Sequence, residues 1–194
     1  MSEARLKRAV DVILTVALLP VLLVPLALLA GLVRWRLGAP VLFRQTRAGL
    51  GGKAFTLLKF RSMREGPDED AERLTRLGRV LRATAIDEWP QLLNVLRGEM
   101  SLVGPRPLPV SYVAHYTPRR AMRLAVRPGL CGLAQAEGRN AVPWPERLEL
   151  DARYAEAVTL RGDLRIISRC ALVLLRRQGV SAPGHATMPP FTGS

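Results

Sequence analysis

An uncharged stretch of 22 residues, Val12 to Val33, constrains this chain more than any other feature. As an α-helix it would be about 33 Å long, which matches the hydrocarbon thickness of a bilayer. A soluble core helix of that length would normally carry a polar face, and this stretch carries none. A cleaved signal peptide fits poorly, because the apolar run is too long and Ala27–Ala30 is a weak cleavage site. The stretch therefore predicts a membrane anchor.

The residues around and within this stretch bear on its topology. Basic residues lie on both sides and give no positive-inside preference. They are Arg5, Lys7 and Arg8 before the stretch, and Arg34, Arg36, Arg44 and Arg47 after it. Pro20 and Pro25 each remove a backbone donor and favour a kink. A strong kink would return both basic ends to the cytoplasmic face, so a re-entrant helical hairpin is favoured over a simple crossing, which stays open.

The net charge of the chain indicates which classes of molecule it can bind. The 194 residues include 29 Lys or Arg and 16 Asp or Glu, which gives a formal charge of +13. Such a balance favours nucleic acid, an acidic membrane surface or a phosphorylated substrate. An apolar content of 48% excludes intrinsic disorder. Cys131 and Cys170 lie far apart with no CxxC motif, which excludes a disulfide scaffold and a zinc site of usual spacing.

The sequence predicts a predominantly helical α+β fold. Residues 1–36 form the membrane anchor, and residues 37–194 form a small cytosolic domain. The predicted elements are strands at Pro40–Phe43 and Lys53–Lys59, a glycine-rich hairpin turn at Arg44–Gly52, an exposed loop at Glu65–Glu72, and helices at Ala71–Arg82, Asp87–Gly98, Pro145–Val158 and Gly162–Gln178. The basic last helix either lies in the lipid headgroup region or packs in the core with a solvated arginine face.

Two adjacent carboxylates, Asp87 and Glu88, are the strongest chemical candidates. They lie at a predicted helix start, where the helix dipole favours their ionised form. An ionised aspartate there can ligate Mg²⁺ or attack a phosphorus atom. Spacing alone favours a structural alternative, in which Asp87 caps the helix and Glu88 complements the dipole. No Walker loop, HExxH or GxSxG motif appears in the sequence.

Five motifs run in order along almost the whole chain. They are Lys59–Met63, Ile86–Leu92, Asn94–Pro107, Val126–Leu130 and Gly132–Asn140. Together they resemble the bacterial sugar transferase family, and within it the monotopic polyprenyl-phosphate phosphoglycosyl transferases of the small, stand-alone (PglC-like) type.

The resemblance implies a reaction and its partners. Such enzymes move a sugar-1-phosphate from a UDP-sugar to undecaprenyl phosphate and release UMP, the first membrane step of glycoconjugate or polysaccharide biosynthesis. Asp87 would form a covalent phosphosugar intermediate, and Glu88 would orient Asp87, help to place a metal ion or handle a proton. Mg²⁺, held by Asp87 and Glu88, would neutralise the diphosphate. The tail Gly184–Met188 with Phe191 resembles the ending of the PglC-like members, and this resemblance implies an N-acetylated amino sugar, such as di-N-acetylbacillosamine, as the donor sugar.

Other functional positions of the family carry over residue by residue. Five basic residues are expected to contact phosphates: Lys59, Arg82, Arg106, Arg127 and Arg139. Gln135 and Asn140 are expected to contact the uridine or the sugar. The chain departs from the family at the membrane bend, where many relatives have Ser-Pro and this sequence has Val24-Pro25.

The resemblance also implies a location, and two other functions compete with it. The expected location is the bacterial inner (cytoplasmic) membrane, with a monotopic anchor in contact with phospholipids and a catalytic domain that faces the cytoplasm; a homodimer is left open. The alternatives are a basic nucleic-acid-binding protein and a non-catalytic membrane scaffold. The apolar stretch and an aromatic content of 5% argue against nucleic acid as a partner. A scaffold would function unchanged with Asp87→Asn.

Overall fold

The computed structural model describes residues 3–66, 70–176, 178–180 and 188–193. This part of the chain forms a mostly helical α+β fold, as predicted, and it contains two small sheets where the sequence predicts a single hairpin. Its helices are α1 (Glu3–Leu37), α2 (Asp70–Arg73), α3 (Arg76–Thr84), α4 (Gln91–Leu96), α5 (Pro118–Ala121), α6 (Leu133–Gly138), α7 (Trp144–Glu156) and α8 (Leu160–Leu175). Its strands are β1 (Leu42–Ala48), β2 (Ala54–Phe60), β3 (Ser101–Val103) and β4 (Gly129–Cys131). Short 3₁₀ turns lie at Leu50–Gly52, Ile86–Glu88, Val110–His115, Met122–Ala125 and Arg139–Ala141.

Helix α1 contains the predicted membrane segment and continues through both Pro20 and Pro25. Among the described helices, it is the one long and apolar enough to cross a membrane. Large apolar side chains in its middle are exposed, for example Val21 at 72% and Leu28 at 70%. An apolar surface of this size needs a non-aqueous partner. The structure thus contains a helix of membrane length, and its re-entrant topology stays a prediction.

The N-terminal end of α1 is fixed to the rest of the protein by polar contacts. Lys7 Nζ lies 2.5 Å from the Asp163 carboxylate. The Arg8 guanidinium donates to two carbonyls at the end of α4, at 2.7 and 3.1 Å. The buried Asp11 carboxylate accepts hydrogen bonds from the Leu102 amide (3.1 Å) and from the hydroxyl of the preceding serine (2.8 Å). These contacts bind the start of α1 to β3, α4 and α8.

The C-terminal end of α1 packs against the same body. Val33 is fully buried in a cluster with Phe60 of β2 and Leu81 of α3. The Arg61 guanidinium donates to the carbonyl of Leu37, the last residue of α1, and so satisfies an acceptor that a helix end leaves free. Both ends of α1 therefore rest on one domain, and its exposed middle lies between them.

The predicted β-hairpin is present, and its strands are longer than expected. Strands β1 and β2 pair antiparallel, from Leu42 opposite Phe60 to Ala48 opposite Ala54. Residues 44–48, which the sequence analysis placed in the turn, belong to β1 because each has a partner in β2. Gly51 and Gly52 make the actual turn, with φ of 63° and 77° that glycine adopts without steric cost.

The helical predictions hold in type and differ at their boundaries. The predicted helix Ala71–Arg82 is interrupted, because Leu74 bridges to Met63 and Thr75 caps the new helix α3. The predicted loop Glu65–Glu72 lies partly outside the described residues and partly in α2. Helix α8 buries one stripe in the core and leaves leucines exposed on other sides. The buried residues of that stripe are Asp163, Ile166, Cys170 and Val173, and the exposed leucines are Leu164, Leu172 and Leu175.

Candidate active site

Within the described part of the chain, a large cavity opens between the β1–β2 hairpin, the 3₁₀ turn Ile86–Glu88, the 3₁₀ turn Arg139–Ala141 and the start of α7. Its volume is about 1190 Å³, which exceeds the volume of a typical small-molecule pocket. Among the described residues that line it, ten are Lys or Arg and three are Asp or Glu. A basic cavity of this size suits a ligand with several phosphate charges.

The two candidate carboxylates lie in this cavity, and neither acts as the predicted helix cap. Asp87 and Glu88 occupy a 3₁₀ turn that follows Ala85, whose φ of 55° redirects the chain. Helix α4 begins three residues later, with Pro90 at its N-cap position. The capping expectation for Asp87 is therefore wrong, because the turn separates it from the first amides of α4. Its carboxylate is free for chemistry.

Glu88 is fixed by two cations. Arg106 approaches it with both terminal nitrogens, at 2.6 and 3.2 Å, and Lys59 Nζ lies 2.8 Å from Oε1. Burial alone would raise the pKa of Glu88, but the charges of Arg106 and Lys59 outweigh burial and hold that pKa well below its usual range. Glu88 is consequently ionised at neutral pH, and both its oxygens are occupied.

Asp87 differs from Glu88 both in its hydrogen bonding and in the direction of its pKa shift. It is only 5% exposed, and no described residue donates a hydrogen bond to its carboxylate. Burial and the adjacent charge of Glu88 raise the pKa of Asp87 to about 6, against the opposing charges of Lys59 and Arg82. A carboxylate with a raised pKa is more basic than usual and is still ionised at neutral pH. Such a group is suited to nucleophilic attack.

Four of the five basic residues predicted to bind phosphate line the cavity: Lys59, Arg82, Arg106 and Arg139. Arg139 has a positive φ of 54°, and its Nη1 is buried without a partner among the described residues. Its other terminal nitrogen donates to the Arg82 carbonyl (2.9 Å). Asn140 also lines the cavity, and its amide donates to the Val180 carbonyl (2.9 Å). The structure therefore brings these five residues into one cavity, and their contacts with the substrate stay predictions.

Two predicted contacts lie elsewhere. Arg127 does not line the cavity, and its Nε donates to the Gly98 carbonyl (2.9 Å) at the end of α4. Gln135 also lies outside the cavity lining and donates to the Leu130 carbonyl (3.0 Å). Both side chains therefore hold loops together in this structure, and their roles as substrate contacts stay predictions.

Sequence reasoning missed several further cavity residues, among them one on β1 and two on α7. Arg47 of β1, Arg147 of α7 and Trp144 contribute to the cavity lining. Arg147 is largely buried, and its Nε finds no partner among the described residues. Because β1 and α7 are distant in sequence from Asp87 and Glu88, here called the dyad, only the tertiary fold shows that these residues meet.

The carboxylates present fit a magnesium ion only in part. Among the described residues, no three His, Cys, Asp or Glu side chains cluster as a metal site. Mg²⁺ is commonly held by one or two carboxylates together with substrate phosphates. Asp87 fits such a role because its oxygens are free of hydrogen bonds from described residues. Glu88 could ligate a metal only by losing Lys59 or Arg106, so the structure does not support its predicted part in the metal site.

Comparisons with known proteins place this chain in a family. The bacterial sugar transferase family model matches residues 2–177. The uncharacterized sugar transferase EpsL of Bacillus subtilis is 43% identical over 195 residues, covering 97% of this chain and 96% of that protein. The UDP-glucose:undecaprenyl-phosphate glucose-1-phosphate transferase of Caulobacter vibrioides is 46% identical over 186 residues, covering 87% and 69%.

A third relative is longer than this chain. The undecaprenyl-phosphate galactose phosphotransferase of Salmonella typhimurium is 36% identical over 201 residues, which cover 92% of this chain and 42% of that protein. The residues matched by the family model include α1, Asp87, Glu88 and all of the described cavity lining except Val180, Met188 and Pro189. The chain belongs to the bacterial sugar transferase family.

Proposed function

We propose that this chain is a phosphoglycosyl transferase that moves a sugar-1-phosphate from a UDP-sugar to undecaprenyl phosphate and releases UMP. Family membership makes it a sugar transferase and thus an enzyme. The relatives from Caulobacter vibrioides and Salmonella typhimurium are named for transferring a glucose-1-phosphate, or a galactose phosphate, with undecaprenyl phosphate as partner. The cavity supports a phosphate-rich substrate because its lining is strongly basic.

The observation that carries the proposal is that the two carboxylates of the dyad have different surroundings. Glu88 is locked by Arg106 and Lys59, whereas Asp87 faces the same cavity without a hydrogen bond from any described residue. Burial and the charge of Glu88 together raise the pKa of Asp87 and hence its basicity. Of the three roles expected for Glu88, this geometry favours orienting and tuning Asp87 over carrying a proton.

The chemistry proceeds in two displacements at one phosphorus atom. In the first, a carboxylate oxygen of Asp87 attacks the sugar-bearing β-phosphorus of the donor. A bond from phosphorus to Asp87 forms, the bond to the bridging oxygen breaks, and UMP leaves with that electron pair. In the second, a phosphate oxygen of undecaprenyl phosphate attacks the same phosphorus, and the bond to Asp87 breaks. This restores the carboxylate and yields the lipid-linked diphosphate sugar.

The cations of the cavity stabilise the charge that this reaction moves. Arg82 and Arg139 lie near the dyad and offer guanidinium groups suited to phosphate oxygens. Asp87, together with the donor diphosphate, would hold Mg²⁺. Bound Mg²⁺ would supply neutralisation of the diphosphate charge.

The test of the proposal is UMP release by the purified full-length protein with undecaprenyl phosphate, Mg²⁺ and a panel of UDP-sugars. We expect UMP with at least one donor and a radiolabelled sugar-phosphate bound to the protein when the acceptor is omitted. No UMP from any donor, with folded protein and an intact acceptor, would contradict the proposal.

The same panel decides the donor sugar. An N-acetylated amino sugar is proposed from the C-terminal tail, of which residues 181–187 lie outside the described residues. The named relatives specify glucose and galactose instead. A preference for UDP-di-N-acetylbacillosamine or UDP-N-acetylglucosamine would support the amino-sugar proposal, and a preference for UDP-glucose or UDP-galactose would reject it.

Covalent adduct formation should decline in acid. Folding raises the pKa of Asp87 to about 6, so the nucleophilic carboxylate is largely ionised at pH 7 and becomes protonated as the pH falls through 6. Below that point we expect the rate to fall about tenfold per pH unit. Single-turnover kinetics between pH 5 and 8 measure this limb, and a rate that is constant down to pH 5 would show that Asp87 is not the titrating nucleophile.

Chelation should stop the reaction without unfolding the protein. We expect excess EDTA to abolish UMP release and added Mg²⁺ to restore it. The melting temperature should not change, because the described residues form no metal-binding cluster that would stabilise the fold. Full turnover in EDTA would refute the proposed metal.

We further propose that α1 is re-entrant and that the catalytic domain faces the cytoplasm. Lys7, Arg8 and Asp11 bind the start of α1 to the same domain that packs against Val33 near its end. A straight crossing would carry one end about 30 Å away, through the bilayer. It would therefore break one of these two sets of contacts, whereas a bend within the exposed middle preserves both.

Removing the prolines should weaken this topology. With the wild-type prolines, we expect Glu3→Cys to react with a membrane-permeant thiol reagent and not with an impermeant one, because the cysteine faces the cytoplasm. When Pro20→Ala and Pro25→Ala are combined, the cysteine should become partly accessible to the impermeant reagent from the periplasm. Labelling would be measured in spheroplasts, in a background with Cys131→Ala and Cys170→Ala that has been shown to be active. Strictly cytoplasmic labelling in the proline variant would count against the role of the prolines.

A further inference from the structure

A second, much smaller cavity lies against the residues that hold Glu88. Its volume is about 10 Å³. Six residues line it: Arg47, Leu57, Lys59, Gln91, Arg106 and Pro107. Lys59 and Arg106 are the two cations that bond Glu88, so this cavity adjoins the machinery that orients the dyad.

Two hydrogen-bond donors on its lining lack acceptors. Gln91, the first residue of α4, is only 2% exposed, and its Nε2 finds no acceptor among the described residues. Arg47 Nε is likewise buried and unpartnered within that part of the chain. Leaving a buried N–H without an acceptor is costly. Two such donors beside one cavity indicate that the cavity holds an acceptor.

Size and charge identify that acceptor. A cavity of about 10 Å³ is close to the smallest that can contain one water molecule. The water oxygen accepts two hydrogen bonds, which matches the two unpartnered donors. Its own protons can be received by the Pro107 carbonyl, which has a second lone pair beside its 3.3 Å bond from Arg47. A metal cation cannot accept a hydrogen bond, and Arg47, Lys59 and Arg106 on the cavity lining would repel it.

We propose that Gln91 is a positioning residue for the catalytic dyad and acts through one buried water molecule in this cavity. The water joins the Gln91 amide to Arg47 and to Pro107, and Pro107 follows Arg106 directly in the chain. Gln91 thereby braces Arg106, which in turn fixes Glu88 beside Asp87. The kinetic part of this inference rests on the proposed function, whereas the water site does not.

The kinetic test compares Gln91→Met, which keeps the side-chain length and removes its hydrogen bonds, with Gln91→Asn, which keeps the amide. Covalent adduct formation from a radiolabelled UDP-sugar is followed without acceptor. The amplitude counts competent enzyme, and the rate reports how well the dyad is positioned. For Gln91→Met we expect the rate to fall about five- to tenfold, the equivalent of one lost hydrogen bond, with amplitude and donor KM little changed. Gln91→Asn should keep more of the rate.

A matched control separates positioning from folding. Val95 is fully buried on the same helix and lies outside both cavities, so Val95→Ala weakens packing alone. We expect it to lower the melting temperature and leave the adduct rate unchanged. An unchanged rate in Gln91→Met, or an equal rate loss in Val95→Ala, would overturn the positioning role.

A crystal structure of the wild-type protein tests the water directly, whether or not any donor reacts. We expect one ordered water within hydrogen-bond distance of Gln91 and Arg47, and its loss in Gln91→Met. An empty cavity, or a Gln91 carbonyl that accepts directly from Arg47, would overturn the inference. Wild-type protein that forms no adduct would count against the proposed function and leave the water site to be decided by this structure.

Discussion

Replacing Asp87 with asparagine is expected to abolish turnover and to make the protein more stable. The amide cannot attack phosphorus, so we expect a loss of about 10⁴-fold or more in UMP release. Because folding raises the pKa of Asp87 to about 6, its ionised form costs stability at pH 7, and a neutral amide removes that cost. The gain should be up to about 3 kcal/mol in the free energy of unfolding. UMP release and denaturant unfolding measure the two effects.

Glu65→Gln provides the matched control for this substitution. Glu65 lines the same cavity and loses the same charge, but its carboxylate is 72% exposed and pairs only with Arg61 in the described chain. Its replacement should leave both turnover and stability nearly unchanged. An Asp87→Asn protein that still forms the radiolabelled adduct would exclude Asp87 as the nucleophile. A protein that is inactive but much less stable would indicate a structural role instead.

The sequence singled out Asp87 and Glu88 as candidates but could not describe their surroundings. Asp87 and Glu88 were expected at a helix start, and the structure places them in a 3₁₀ turn before α4. Local spacing could not distinguish a helix start from such a turn, because a turn followed by Pro90 has the same sequence signature as a helix N-terminus. The difference matters, since a capping aspartate would have its oxygens occupied by backbone amides.

Elements that depend on local sequence patterns could be predicted, whereas contacts between distant segments could not. The long apolar helix and the hairpin follow from local patterns of apolar residues and glycine, and the structure contains both of these elements. The ion pairs of Glu88 with Lys59 and Arg106 join three separate segments of the chain. Arg147 likewise reaches the cavity from a segment that is distant in sequence. Sequence periodicity carries no information about such meetings. The resemblance to the family nominated Arg106 and Lys59 but had no means of assigning them to Glu88 rather than to a phosphate.

That assignment makes Glu88→Gln the second substitution with a large expected effect. Neutral glutamine leaves Lys59 and Arg106 without their buried carboxylate, and both cations can then turn towards Asp87. Their charges, together with the loss of repulsion from Glu88, should lower the pKa of Asp87 below 6. A less basic and newly paired Asp87 is a poorer nucleophile. We expect adduct formation to slow by about 10²- to 10³-fold at pH 7.

The direction of the accompanying pH shift separates tuning from proton transfer. If Glu88 tunes Asp87, the acid limb of the adduct rate moves to lower pH in Glu88→Gln, because Asp87 stays ionised in more acidic solution. Glu149→Gln is the matched control, since Glu149 also pairs with two arginines, Arg119 and Arg153, but lies on the surface away from the cavity. It should leave the rate and its pH dependence unchanged. An acid limb that stays in place in Glu88→Gln, with the rate lost at every pH, would mean that Glu88 acts on the substrate itself and that its ion pairs with Lys59 and Arg106 only hold it there.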